Sequence, residues 1–445
     1  MRTWAAWRSA IIVLFVLACY QACIAQASPA GSAQPLVLTM KEALRLALKQ
    51  NPEVVAARLL SLESDRDRQI ARSALLPQAS LVSTGAVQQY NFQSVERLPA
   101  SKPAGPFQYM EAGPAFSQSL FDLPLIRKYQ IYREGTRETQ ARENVTREDV
   151  TAAVVTQYLL VLRAFAVYDA AKARVELAER LYNQALNLQN TGIGLNIDVT
   201  RAQVELQNEK QNLIDAETQT HTTNYLLAEL LDLRREQEPL TADKLQFFDL
   251  PAYERAAAIT TALANRPEMQ SLASQERIAQ LEHRAAVEQR LPRLDFSGYW
   301  LYQGAHFTDG IPAYTYLVGL DIPLFTGGRI QAEVARATLE EKRVAQNRQL
   351  LEARIVREIK TAIDELESAR TAVQVANLGL KLANDEVAQA QRRFEAGVTT
   401  NVEVVTAQDA LARANANQIE ALYRFNQSRA NLARAMGEVE NTYAN

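Results

Sequence analysis

Few side chains in this 445-residue chain are placed for chemistry. The three histidines, His221, His283 and His306, lie far apart with no carboxylate or cysteine at ligand spacing, so they read as surface or packing residues rather than metal ligands. The two cysteines, Cys19 and Cys23, both fall in an apolar N-terminal segment. No glycine-rich phosphate loop follows a strand pattern, and no nucleophile motif occurs; Thr326-Gly327-Gly328-Arg329 reads as the turn from a strand into a helix. Catalysis has no candidate residue, and no cofactor is implied.

The elements around these residues say more. Arg2 and Arg8 precede an apolar stretch from Ala10 to Ala18, and small residues end in Ala25-Gln26-Ala27, the order of a cleaved secretory signal. Cleavage is expected after Ala27, which makes residues 1–27 a signal peptide and leaves a mature chain without cysteine, hence without disulfides or thiolate chemistry. A lipoprotein reading competes, because Val16-Leu17-Ala18 precedes an acylatable Cys19, although Leu17 sits where a smaller residue is usual. The net charge of -3 gives no basic excess for nucleic acid and no acidic excess for a disordered tail. Hydrophobic residues make up 47%, yet beyond the signal no apolar run reaches the roughly 18 residues of a membrane-spanning helix. A bilayer crossing must use strands.

The chain is duplicated. Asn51-Pro52-Glu53 recurs as Arg266-Pro267-Glu268, Leu75-Leu76-Pro77 as Arg290-Leu291-Pro292, Leu120-Phe121 as Leu324-Phe325, and Thr191-Gly192-Ile193 as Ala396-Gly397-Val398. The spacing between copies changes between Gln89 and Tyr109, where the first copy carries extra residues including Pro99, Pro103 and Pro106, as an exposed loop does. Residues 28–238 and 239–445 are the expected repeats, each ordered helix, two strands, very long helix, glycine turn, long helix. Thr39 and Glu42 have capping-box spacing, and Asn51-Pro52 breaks the first helix and restarts one expected to run to Leu76.

The helices carry the strongest pattern. Ile355, Ile359, Ala362, Leu366, Ala369 and Val373 begin a 4-3-4-3 apolar spacing that continues to Phe394, and Val150 to Gln189 repeats it, interrupted by the polar Gln157 and Gln189. Val404, Ala407, Leu411 and Ala414 resume the stripe after the second glycine. Helices from about Leu125 to Gln189 and from about Ile330 to Glu395 would be on the order of 100 Å long at 1.5 Å per residue. Such antiparallel coiled-coil helices, with many small alanines on their seams, need neighbours laid alongside.

In Asp295 to Gln303, Phe296, Trp300 and Tyr302 share one face; in Tyr314 to Ile322, Tyr314, Tyr316, Val318, Leu320 and Ile322 do the same. Leu81, Val87 and Phe116 hold matching places in the first copy. Taken alone, solvated hairpins with one buried face would fit these segments as well as a lipid-facing barrel wall. Four strands per chain cannot close a barrel, and an open edge is not viable in lipid, so in a membrane several chains must pool strands.

Leu38-Thr39-Met40-Lys41-Glu42-Ala43-Leu44 with Asn51-Pro52-Glu53, the Leu-Pro before each first strand, Phe394-Glu395-Ala396-Gly397 and Val404-Val405-Thr406-Ala407-Gln408 together resemble the TolC family of outer-membrane efflux proteins, across essentially the whole mature length. The resemblance implies a mixed fold: a homotrimer whose shared 12-stranded transmembrane β-barrel continues into an α-helical barrel reaching through the periplasm. Tyr90 to Tyr109 and Gly304 to Ala313 become outward loops, and Gly192, Ile193, Gly397 and Val398 mark the periplasmic tip, where a periplasmic adaptor protein and an inner-membrane pump engage. It further implies an acidic ring at the entrance, for which Asp198 and Glu403 are the candidates by motif position. First-turn acids that suit the helix dipole, with Thr400 and Glu403 at capping-box spacing, explain the same residues without a channel role. Phe394 and Thr399 replace a tyrosine and an arginine of the family pattern, and Thr406 stands where a second acid would, so a latch built on those groups is not expected.

The function expected is thus a passive exit duct for drugs or other small molecules in a tripartite efflux system, set in outer-membrane lipid. A type I protein secretion duct is the alternative cargo class, and a periplasmic coiled-coil scaffold is the alternative of another kind, one that would leave the aromatic strand faces unexplained.

Overall fold

The computed structural model describes residues 36–90, 104–192, 194–235, 237–251, 253–306, 308–396, 398–399 and 401–444. The signal and lipidation expectations at Cys19 and Ala27 lie outside the described residues, as does most of the Pro99 loop. The first repeat runs β1 (Leu36–Leu38), α1 (Met40–Gln50), α2 (Pro52–Ser73), β2 (Gln78–Tyr90), β3 (Ala104–Phe121), α3 (Leu123–Asn190) and α4 (Asn196–Leu230). The second runs β4 (Pro239–Thr241), α5 (Arg255–Asn265), α6 (Pro267–Glu288), β5 (Arg293–Gly304), β6 (Ile311–Asp321), α7 (Arg329–Glu395) and α8 (Asn401–Met436), followed by the short α9 (Val439–Tyr443).

Local chemistry starts and stops these elements. Thr39 forms the complete capping box with Glu42 at the head of α1. The Asn51 side chain accepts the Glu53 N–H at 2.9 Å and caps α2, with Pro52 in the first turn, where its missing N–H is not needed. The α2 helix ends at Ser73 rather than Leu76, because the Leu75 and Leu76 N–H groups donate three residues back, to Arg72 and Ser73, in a tightened last turn before Pro77. Asp122 caps α3 by accepting the Leu125 N–H at 2.9 Å.

The long helices have 68 and 67 residues, and every position of the two expected seams is buried or half-buried. The two polar interruptions are hydrogen-bonded: Gln157 donates to the Thr223 carbonyl at 2.8 Å and Gln189 to the Asn196 side chain at 3.2 Å, both on α4. The expectation that no stretch beyond the signal is apolar enough over about 18 residues fails in α3. An 18-residue stretch of α3 is apolar enough to cross a membrane by length and composition, but over half of it is buried against other helices, which explains its apolarity.

The helices form a strip four wide at two levels. Nearer the sheet the order of packing is α2, α3, α6, α7; farther from it, α4, α3, α8, α7. The sheet repeats that order as β2, β3, β5, β6, with all neighbours antiparallel. All three levels are therefore open on the same two sides, and the helices at both edges carry exposed apolar side chains: Leu59 and Ile70 of α2 and Ile214 of α4 at one, Leu339 and Leu350 of α7 at the other. Burying those rows requires another surface.

Register assigns the sheet faces. Leu81 lies opposite Pro114, Phe116 opposite Gly298, Phe296 opposite Val318 and Trp300 opposite Tyr314, so these share a face on which no paired residue is charged. Most of its large residues are exposed. Phe116, Phe296 and Tyr316 cluster with ring centroids 5.8 to 6.5 Å apart. Gly298 makes that cluster possible, since a Cβ there would come within 2.4 Å of the Phe116 ring. Glu111, Arg293, Asp295 and Asp321 lie on the other face, where Gln303 donates to Glu111 at 3.4 Å and Arg293 pairs with Asp321. The alternation is that of a barrel wall with an apolar outside and a polar inside.

At mid-length the repeats meet. The β1 and β4 strands pair in parallel, Leu36 opposite Pro239. Beneath them Tyr158, fully buried, has its hydroxyl 2.8 Å from both the Leu38 carbonyl and the Asp243 carboxylate. Burial first, and then Asp243, pushes its phenol well above the ordinary range. On the other side an ion chain runs from Asp149 through Arg434, Glu268 and Arg266 to Glu358.

Candidate functional site

The end of the strip opposite the sheet carries the candidate acids. At the first tip α3 ends with the Thr191 N–H donated to Asn187, and the chain reverses through Gly192, whose φ of +79° is a left-handed conformation that favours glycine. Leu195 and Ile197 project into solvent beside it. At the second tip the Val398 N–H donates to the Arg393 carbonyl at 3.0 Å, and Val398 and Val402 are exposed. Ile193 and Gly397, the remaining two tip candidates, lie outside the described residues. Two hairpin ends with exposed apolar side chains form one uncovered surface.

Asp198 and Glu403 both occupy the first turn of the returning helix, Asp198 in α4 and Glu403 in α8, and both are half-buried. Each faces an arginine of its own chain: Arg201 lies 3.7 Å from Asp198 and Arg393 3.3 Å from Glu403. The Thr399 hydroxyl also donates to Glu403. Thr400, the expected capping partner of Glu403, is outside the described residues. The first turns of α4 and α8 flank a groove of about 450 Å³ lined by Thr200, Arg201, Val204 and Glu205 of α4 and by Val402, Val405 and Thr406 of α8. Phe394 does not reach it; it packs on a small core with Val387, Ala390, Val404 and Ala407.

A second acidic cluster, not anticipated from the sequence, lies farther up. Glu205 and Glu209 of α4 and Asp409 of α8 line a cavity of about 220 Å³ together with Arg174 of α3. Arg174 reaches Glu209 at 3.5 Å, and burial, then Asp409, then Glu209, raises the Glu205 carboxyl above its usual value. Like charges four apart on one helix were the available signal, because such a pair destabilises a helix unless another element compensates it. The histidines are dispersed: His221 stacks on Tyr225, His283 lies 3.8 Å from Glu341, and the His306 N–H donates to Asp309.

The sequence profile of the outer membrane efflux protein family matches twice, over residues 43–232 and 258–438. The chain belongs to that family. It is 23% identical over 399 residues to the outer membrane protein TolC of Vibrio cholerae, covering 85% of this chain and 87% of that one. It is 27% identical over 343 residues to the pyoverdine export outer membrane protein OpmQ of Pseudomonas putida, covering 71% and 70%. The CmeC outer membrane channel of Campylobacter jejuni superposes with a TM-score of 0.80 at 17% identity, covering 90% of this chain and 85% of that one. This efflux protein is an outer-membrane channel, its sheet the membrane part and its helices the periplasmic extension.

Proposed function

We propose that this efflux protein works as a homotrimer, three strips closing edge to edge into a 12-stranded barrel and a continuous helical tunnel, with the repeats dividing at residues 238 and 239. The observation that carries this reading is that strands and helices are open on the same two sides, with apolar residues exposed on the helices at both edges. The duct does no chemistry; an inner-membrane pump supplies the energy, and a periplasmic adaptor docks on the tip at Gly192, Ile193, Gly397 and Val398. The exposed Leu195, Ile197, Val398 and Val402 support the docking surface. Small molecules are the cargo, supported by the similarity to a protein named for pyoverdine export.

Asp198 and Glu403 of three chains form the charged collar of the entrance, tempered by Arg201 and Arg393. Six carboxylates around one narrow axis attract cations and repel anions. The test is planar-bilayer conductance of detergent-purified protein, with the oligomer mass measured on the same preparation. A trimer that inserts and conducts supports the duct, and Asp198→Ala with Glu403→Ala is expected to lower its cation preference. Unchanged conductance and selectivity in the double variant would remove the collar, and a water-soluble species that never conducts would remove the duct.

A further inference from the structure

Every charged residue of the four sheet strands lies on the inward face: Glu111 on β3, Arg293 and Asp295 on β5, Asp321 on β6. They are unequally placed along the wall. Arg293 and Asp295 open β5 and Asp321 closes β6, so all three lie at the junction with the helices, where Arg293 pairs with Asp321. Glu111 stands apart, ten residues before Phe121 at the base of β3. At about 3.4 Å per residue and a strand tilt of about 40°, it is roughly 25 Å above that junction, at the outer end of the wall.

Its carboxylate is held without being neutralised. The Tyr109 hydroxyl and the Gln303 amide, the latter at 3.4 Å, both donate to the same oxygen, Oε2, and both donors are uncharged. Among the described residues no cationic side chain forms an ion pair with it. The duplication shows that the strand ladder does not need an acid there. Matching Leu75-Leu76-Pro77 with Arg290-Leu291-Pro292 aligns β2 with β5, and matching Leu120-Phe121 with Leu324-Phe325 aligns β3 with β6. Glu111 opposite Thr84 then corresponds to Thr315 opposite Tyr299, and both pairs are present. The second repeat builds the same position with a neutral, exposed threonine.

We propose that Glu111 is a selectivity-determining residue of the duct, a cation-attracting station at the exit end of the barrel wall that acts independently of the collar at the entrance. The inference rests on the trimeric duct reading, which places three such carboxylates around one lumen. A fixed carboxylate on the low-dielectric wall of a water-filled passage concentrates cations beside it and depletes anions. Salt sets its reach, since the screening length is about 30 Å at 0.01 M and about 3 Å at 1 M. The longer distance spans a lumen that holds water between its walls and the shorter one does not. The station therefore acts in dilute salt and falls silent in concentrated salt, whereas carboxylates crowded on the narrow axis of the entrance act in both.

The test is the reversal potential of the full-length, detergent-purified protein in planar bilayers, under potassium chloride gradients centred near about 0.01 M and about 1 M. The Asp198→Ala, Glu403→Ala background keeps the entrance from masking the wall. In that background Glu111→Gln is expected to lower the potassium-to-chloride permeability ratio about twofold in dilute salt and to leave it unchanged in concentrated salt. Thr315→Glu, which adds a carboxylate at the matching position of the second hairpin, is expected to raise the dilute-salt ratio by about the same factor. A dilute-salt ratio that ignores both substitutions, with trimer mass and conductance at 1 M kept at background values, overturns the station and leaves the duct reading standing. Equal shifts at both salt concentrations also overturn it, because they would report a change of pore shape rather than of screened charge. A parent protein that never conducts overturns the duct itself.

Discussion

Where α4 ends in the first repeat, the Asn51 side chain donates to the Leu230 carbonyl at 2.9 Å and the Gln50 amide reaches the Leu231 and Asp232 carbonyls. Where α8 ends in the second, the residue matching Asn51 is Arg266, only 5% exposed, and its guanidinium turns to Glu268 at 2.9 Å and to Glu358. The same backbone plan is thus anchored by neutral amides in one repeat and by ions in the other. The amides satisfy carbonyls that any helix end leaves open, a local task. The arginine joins α6 to α7, and through Glu268 and Arg434 the chain of charges continues to Asp149 on α3 of the first repeat. A buried charge is tolerated only with its partners in place, so the second anchor links more elements and fails harder.

The largest break in this symmetry is expected from Arg266→Met. Removing one member of a buried ionic group typically costs about 3–5 kcal/mol, because the remaining charges lose their compensation. Both the thermal midpoint of the detergent-solubilised protein and amide exchange in α6 and at the end of α8 should report it. A variant as stable as the parent would mean that the ion chain is incidental to the anchoring of the second repeat.

Acid should separate the two anchors without mutation. Burial alone would raise the Glu268 carboxyl, but hydrogen bonding from Arg266 and the charge of Arg434 outweigh it and hold the pKa at about 2, against 4.5 for the unperturbed group. A depressed carboxylate contributes its full stability above the unfolded value and loses it as pH falls through the folded one. Between about pH 4.5 and 2, exchange protection at the α5–α6 junction should therefore fall while that at the α1–α2 junction changes less. Equal losses at both junctions would place the acid sensitivity elsewhere.

Tyr158→Phe tests what the first repeat has in place of ions. Tyr158 ties β1 and Asp243 to α3, and Asp243 also accepts the Met40 N–H at 2.8 Å, whereas the matching position in α7 is the buried, apolar Ile363. A loss of about 1–3 kcal/mol is expected, the range for leaving a buried acceptor one donor short. It should appear as faster exchange in α1, and a change confined to α7 would assign the hydroxyl no part in anchoring the first repeat.

The distribution of these features explains what the sequence could disclose. The seams of α3 and α7 were legible residue by residue, because burial of a helix face imposes a period that a single chain displays. The strand faces were legible for the same reason, and the duplication supplied their order. The ion chain was not, since Arg266, Glu358 and Arg434 are separated by tens of residues and each resembles a surface charge until the helices are side by side. At the tip, the motif positions led to Asp198 and Glu403, but Arg201 and Arg393 became their partners only through helix geometry. The Glu205, Glu209 and Asp409 cluster depended on which helices pack together, which no local pattern states.

The smallest expected effect comes from Asn51→Ala, and it decides whether the first anchor is local. Asn51 performs two tasks, accepting the Glu53 N–H to start α2 and donating to the Leu230 carbonyl to finish α4. Loss of such a cap is worth about 1 kcal/mol, within a range of roughly 0.5–2. No carboxylate stands where Glu358 does in the second repeat, since Ala153 holds the matching position, so an arginine at 51 would lack half of what Arg266 has. If the amide anchor is local, exchange should quicken only in the first turn of α2 and the last turn of α4, leaving α3 and the second repeat at parent rates. A response reaching α6 or α8 would show that the two anchors are coupled through α3, and the contrast between a local anchor and a linking one would no longer hold.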